Sequence, residues 1–277
     1  MARIVHLSDL HFGAHDQALV EAVESQVDRL KPHLVVISGD FTQRARTEQF
    51  REAYHFLEGL RDRGHEVLGV PGIHDVPLYD VLRRFLSPLA RYRRFVDDTL
   101  CPFIELPGVA VLGVNTARSF TFKDGRINED QVKFIRETFS RTPSEAFRVL
   151  VTHHPLFALR VGEQTERAIG RQELALDAIE EVGVDMVLAG HAHHASSQDA
   201  GDLVTRAGGV LVVQAGTATS TRVREQEQSF NTIDITDGSA TITVHAWDGD
   251  EFRPNDAQRY EWQEGRWRIL KSMEPAH

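Results

Sequence analysis

A single cysteine, Cys101, in 277 residues excludes a disulfide framework and any cysteine-rich zinc or iron–sulfur site. No apolar run approaches the roughly 18 residues that a membrane-spanning helix needs. The stretch Arg3-Ile-Val-His-Leu7 already reads as a strand, which leaves no room upstream for a cleaved leader and gives a cytoplasmic protein as the expectation. Basic residues are the minority, 31 Lys and Arg against 41 Asp and Glu, for a formal net charge of −10. A field of that sign repels nucleic-acid polymers and anionic membranes, so an anionic ligand must be held by local charge or by metal. Gly-x-Ser-x-Gly, a Walker loop and a dinucleotide fingerprint are all missing. Their absence argues against serine hydrolysis, phosphoryl transfer from ATP and dinucleotide redox chemistry.

What the chain does have is core-forming material and histidine: 41% hydrophobic residues, 26% charged, and 14 His in short clusters. Strand-like runs recur at Ile4–Leu7, Leu34–Ile37, Val67–Val70, Val109–Val114, Val149–Val151, Met186–Leu188 and Val210–Val213. Between them, Ala18 to Leu30 and Phe50 to Leu60 carry apolar residues at helical spacing, and Asn128-Glu-Asp-Gln131 has the form of a capping box. Strands alternating with helices predict an α/β core with a largely parallel sheet. After about residue 203 the helical patterns stop. Phe230–Ile235 with Thr241–Trp247, and Tyr260–Trp262 with Trp267–Leu270, read as hairpins. The expectation is one domain over 1–277, with 204–277 supplying C-terminal strands of a second sheet packed on the first.

Short polar motifs close five of these strands: Ser8-Asp-Leu-His11, Ser38-Gly-Asp40, Pro71-Gly-Ile-His-Asp75, Thr152-His-His-Pro155 and Gly190-His-Ala-His193. Carboxyl ends of parallel strands are where open α/β sheets place their crevices. Singly, each motif is common in turns. Five at successive strand ends bring imidazoles and carboxylates to one edge, at an electrostatic cost that cations would offset. Imidazole with carboxylate is the ligand set of Mn, Fe, Zn, Co or Ni, not of calcium or thiolate sites. Asp-x-His and His-x-His let two side chains of an extended segment face the same way.

This ordered set resembles the calcineurin-like metallophosphoesterases, whose signature runs Asp-x-His, Gly-Asp, Gly-Asn-His-(Asp/Glu), His, Gly-His-x-His. The stretch Gly39-Asp-Phe-Thr-Gln-Arg44 and the pattern Gly125-Arg-Ile…Gln131 look like the bacterial branch near class III cyclic-nucleotide phosphodiesterases. That branch is also similar to UDP-2,3-diacylglucosamine pyrophosphatases. The resemblance implies a four-layer α/β/β/α sandwich of two mixed sheets flanked by helices. It also implies two divalent metal ions: Asp9, His11 and His193 on one, His153 and His191 on the other, Asp40 bridging. His74 matches the histidine that contacts the phosphoryl group or leaving oxygen, with Asp75 beside it as an orienting carboxylate and His154 behind the ligands. The implied reaction is phosphodiester hydrolysis by in-line attack of a metal-bridging hydroxide. A phosphomonoesterase, a pyrophosphatase of that lipid type and a metal-binding scaffold without turnover are the alternatives.

One position departs from the signature. Ile73 stands where the family has an asparagine that ligates the second metal, and isoleucine cannot replace its amide. The expectation is a weakened second site and reduced turnover in an intact fold. Arg44 and Arg118, just after predicted strand ends, are candidate substrate contacts. Arginines interleave with apolar residues over 79–97 in the pattern of a basic amphipathic helix, a candidate contact for a membrane surface or lipid substrate. The small-molecule phosphodiester is the expected partner; no motif speaks to oligomeric state.

Overall fold

The computed structural model describes residues 1–121, 124–161, 164–199, 209–221 and 227–273. The chain opens with β1 (Ala2–Leu7), α1 (Gln17–Leu30), β2 (Leu34–Ile37), α2 (Thr47–Asp62) and β3 (Val67–Gly69), parallel strands with helical crossovers. Short helices α3 (Val81–Leu86) and α4 (Ala90–Phe95) lead to the antiparallel pair β4 (Phe103–Leu106) and β5 (Val109–Gly113). Alternation resumes with α5 (Glu129–Phe139), β6 (Phe147–Val151), a small hairpin of β7 (Leu159–Val161) and β8 (Gln164–Glu166), α6 (Gln172–Val182) and β9 (Met186–Ala189). The last described strands are β10 (Ser196–Asp199), β11 (Leu211–Gln214), β12 (Ser229–Thr236), β13 (Ser239–Trp247), β14 (Phe252–Gln263) and β15 (Arg266–Met273).

Two mixed sheets result, ordered β15-β14-β13-β12-β1-β2-β3 and β10-β11-β9-β6-β5-β4. Period-two alternation assigns each strand's two faces to different cores. Ile4, Leu34, Val36, Val109, Val111, Val149, Val151, Met186 and Leu188 meet between the sheets. Val5, Leu7, Val35 and Ile37 face the opposite way, onto α1 and α2. Ala110, Leu112, Leu150 and Val187 face α5 and α6. The order helices, sheet, sheet, helices is the expected four-layer sandwich. The capping box holds as well: Asn128 Oδ1 accepts from the Gln131 amide (2.9 Å) and Gln131 Oε1 from the Asn128 amide (3.2 Å). Among the described residues no helix is long and apolar enough to cross a membrane.

The tail corrects one expectation. Within 204–277, of which 204–208, 222–226 and 274–277 lie outside the described residues, only β11 enters the second sheet, parallel to β9. Strands β12–β15 instead extend the first sheet, β12 pairing antiparallel with β1 from Ala2↔Ile235 to His6↔Asn231. With β2 on one side, β1 offers its other edge. In that register Ile233 and Ile235 join Ala2 and Ile4 in the inner core.

Residues 79–97 differ too: two short helices stand where one is expected. Pro88 bars the helical conformation at the residue before it, and Ser87 leaves the helix at φ −152°. The buried Arg84 also breaks the expected solvated basic face.

Candidate metal centre

All five motifs lie at carboxyl ends of parallel strands, and cross-sheet bonds bring the ends together. The His153 ring, after β6, donates from Nδ1 to the Ser38 carbonyl after β2 (2.8 Å), which turns Nε2 toward the cluster. Asp9 Oδ2, after β1, accepts from the His191 amide after β9 (3.0 Å) and from the Ser8 hydroxyl (2.6 Å). The Thr217 and Thr219 hydroxyls donate to the Asp9 and Leu10 carbonyls, bracing the β1 loop from the far side.

The loops are held in costly backbone shapes. Asp9, His11, Asp40, His191 and His193 all have φ between 50° and 69°, the left-handed region that L-residues avoid. Five of the six predicted ligands sharing this conformation marks a place where local stability yields to side-chain placement. Two glycines permit the close approach. A Cβ on Gly72 would lie 2.1 Å from Asp40 Oδ1, and one on Gly190 would lie 1.9 Å from Ser8 Oγ.

The six predicted ligands converge. Asp9 Oδ1 is 3.1 Å from His193 Nε2 and 3.5 Å from His11 Nε2; Asp40 Oδ2 is 3.3 Å from His153 Nε2 and 4.0 Å from His11 Nε2. One ligand atom each from Asp9, His11 and His193 lies within 4.8 Å of the others, and the same holds for Asp9, Asp40 and His153. Asp9 belongs to both groups, and Asp40 also forms one with His11 and His74. Asp40 Oδ1 accepts from the His74 amide (2.8 Å).

The donor set fits metal. Asp9 Oδ1, Asp40 Oδ2 and His153 Nε2 are buried, and none takes part in a hydrogen bond. Such atoms are expensive to leave bare. Two ligand atoms about 2.1 Å from a shared ion lie about 3.4 Å apart, close to the spacings seen. The chain's own field keeps the two carboxylates in the ionised form that ligates. Burial opposes the ionised carboxylates, but His153, His74 and His11 outweigh it at Asp40, and His193 and His11 at Asp9. Both acids are held well below the usual range. Burial lowers the His153 imidazole, yet Asp40 and Asp9 bring it up to about 9. Burial takes His191 down to about 4.

Three further residues take places the sequence does not reveal. His154, expected behind the ligands, contributes to a third cluster with His153 and His191, again within 4.8 Å. Its Nδ1 bonds Thr116 Oγ1 (2.8 Å), while Nε2 is buried without a hydrogen bond. Asp75 does not orient the His74 ring as expected. Buried, it accepts from the amides of Phe41 (3.2 Å), Thr42 (2.9 Å) and Gly72 (2.9 Å) and from the Thr42 hydroxyl (3.0 Å), locking the β2 and β3 loops together. Gln43 orients His74 instead: His74 Nδ1 donates to the Gln43 carbonyl (2.8 Å), leaving Nε2 for the cleft.

The arginines separate. Arg44 is exposed, shares a cavity with Ile73 and His74, and sets its guanidinium 5.5 Å above the Tyr79 ring. Arg118 donates to the Asn115 and Ala117 carbonyls (3.3 and 3.1 Å) and to Gln131 Oε1, and lines a different cleft, with Arg93. These bonds brace its own loop, and it lies apart from the cavity that holds Arg44 and His74.

Comparison with known proteins gives a consistent picture. The profile of the calcineurin-like phosphoesterases (Metallophos) matches residues 2–195. No curated protein matches the sequence. Among solved structures, a purple acid phosphatase from yellow lupin seeds superposes with a TM-score of 0.70 at 12% identity over 91% of this chain. This chain spans about half of that enzyme, 52% of its length. A dimetal phosphatase from Danio rerio gives 0.65 at 13% identity, over 88% of this chain and 96% of that one. GAP50, described as the anchor in the inner membrane complex of Plasmodium, gives 0.59 at 12% identity, over 91% and 88%. At these identities the likeness is one of fold.

Proposed function

The chain belongs to the calcineurin-like phosphoesterase family, and from that premise we propose that it is a two-metal phosphoesterase acting on small phosphodiesters. The observation that carries the proposal is the convergence of bare, buried donor atoms on Asp9, Asp40 and His153 within one cluster. In this reading Asp9, His11 and His193 hold one ion, His153 and His191 the second, and Asp40 bridges. His154 Nε2, grouped with His153 and His191, is available to the second ion, to which Ile73 offers nothing. When bound, two such ions acidify water and draw charge from phosphoryl oxygens.

The remaining work falls to the chain. Ser8 and the His191 amide fix one oxygen of Asp9, so that the other stays aimed at the cluster. The His74 amide does the same for Asp40. With Nδ1 held by Gln43, His74 Nε2 is placed to give a proton to the leaving alkoxide. Arg44, at the mouth of the cleft, supplies positive charge for a phosphodiester anion on a protein whose overall field repels it. The diester preference follows the likeness of Gly39–Arg44 and Gly125…Gln131 to the cyclic-nucleotide branch.

Ile73 favours a second reading, a metal-binding scaffold without turnover. Bis-p-nitrophenyl phosphate, p-nitrophenyl phosphate and cyclic nucleotides with added Mn²⁺ separate the two. The proposal expects diesters to be cleaved faster than the monoester. The reverse order makes the protein a monoesterase, and bound metal without activity on any of them supports the scaffold.

A further inference from the structure

Beside the cleft, helix α3 is built inside out. Leu82, Phe85 and Leu86 face solvent, at 73%, 49% and 75% exposure, while Arg84 on the same helix is 3% exposed. The Arg84 guanidinium donates to three carbonyls: Ser119 (2.7 Å), Pro77 (2.9 Å) and Thr121 (2.7 Å). These bonds tie α3 to the 119–121 segment with its apolar side chains outward, so the exposure is built in and is not a frayed end. Phe120, 86% exposed, brings its ring to 5.2 Å from that of Phe85. Leu78 and Tyr79 continue the apolar face up to the cleft. With Val81 on the same helix, seven of the thirteen exposed large hydrophobics among the described residues gather here, well beyond the scatter of single apolar residues on an ordinary surface.

The face is continuous with the candidate centre. Leu78 and Tyr79 line the same cavity, about 220 Å³, as His74, Ile73 and Arg44. Arg44, stacked over Tyr79, puts a cation at the junction between polar cleft and apolar face. Moving outward, the order is metal-ligating cluster, positive charge, hydrocarbon. An anionic phosphate joined to an apolar chain has the complementary order. The net charge of −10 disfavours an anionic bilayer as the occupant and leaves an individual amphiphilic molecule.

The geometry points to an alkyl-chain subsite: the substrate is a phosphoester whose alkyl chain lies along Tyr79, Leu82, Phe85, Leu86 and Phe120 while its phosphate is held at His74 and Arg44. This deepens the phosphoesterase proposal and rests on it. The test is a series of p-nitrophenyl alkyl phosphodiesters, methyl to decyl, below their micelle concentrations and with Mn²⁺. KM is expected to fall about twofold per added methylene beyond butyl, which corresponds to half-burial of the chain. Leu82→Glu with Phe85→Glu, and separately Leu86→Ser with Phe120→Ser, should flatten that dependence of KM on chain length. If no ester is cleaved, the phosphoesterase reading fails alone. Calorimetric titration with methyl to decyl phosphate then decides the subsite through the same chain-length dependence of Kd. A KM and Kd independent of chain length overturn the inference, as does a dependence that survives in both double variants. So does a wild-type dimer in sedimentation that both double variants split, since the face would then be covered by a second copy.

Discussion

Asp75→Asn tests how the site is held together. The carboxylate accepts four hydrogen bonds, two on each oxygen, from Phe41, Thr42 and Gly72, next to Asp40 and His74. Asparagine keeps one oxygen and turns an NH2 group toward the other two donors. Two buried donors left bare cost about 1–3 kcal/mol each, so about 2–6 kcal/mol in all. An opposing effect depends on metal. Burial and the charge of Asp40 together push Asp75 up to about 6, against the backbone bonds that favour its ionised form. That is about two units above an ordinary Asp, or about 3 kcal/mol of penalty on the carboxylate at neutral pH, which a neutral amide relieves. Cations on Asp40 cancel the repulsive part of that penalty. Urea unfolding of Asp75→Asn should therefore show a loss of about 2–6 kcal/mol in Mn²⁺-loaded protein and a clearly smaller loss after chelation. Because the folded pKa lies above the unfolded one, the contribution of Asp75 in chelated wild type is fully present below about pH 4. It declines as pH rises to about 6 and is flat above. The Asn variant should lack that slope. A loss below about 1 kcal/mol with metal bound, or equal losses with and without it, refutes the reasoning.

Two further outcomes follow from the ligand assignments. His154→Ala should weaken the second ion by about 10–100-fold with the first intact, and Ile73→Asn should raise second-site occupancy and turnover. Metal titration with diesterase rates checks both, and unchanged occupancy and rate in Ile73→Asn contradict the role given to that position. Metal ligation needs neutral imidazole, and His153 is held up to about 9 by Asp40 and Asp9 against its burial. Affinity for Mn²⁺ should therefore rise about tenfold per unit from pH 7 to 9 and then level off, with proton release measurable by calorimetry in buffers of different ionisation enthalpy. A flat profile over that range removes His153 from the ligand set.

The strands and their carboxyl-end motifs were legible because burial on both faces makes each parallel strand a continuous apolar run, as at Leu34–Ile37 and Met186–Ala189. The capping box at Asn128 was legible because its chemistry is local. Long-range choices were not. Nothing within residues 229–273 says whether they pair with β1 or with the second sheet; the open edge of β1 decides that. The basic pattern of 79–97 suggested a solvated arginine face, but the three carbonyls around Arg84 come from outside helix α3 and invert it. In the site, the likeness of the ordered motifs to the family signature pointed to six residues, and their side chains come together in the fold. The work of Asp75 and Gln43 lies in contacts across loops, where a carboxylate beside a histidine in sequence need not touch its ring.

Anomalous diffraction from crystals grown with Mn²⁺ tests the two-ion centre most directly. The account predicts two peaks about 3.5–4 Å apart, one against Asp9, His11 and His193, the other against His153 and His191, with Asp40 reaching both. Manganese bound elsewhere, or none at these side chains at saturating concentration, contradicts it.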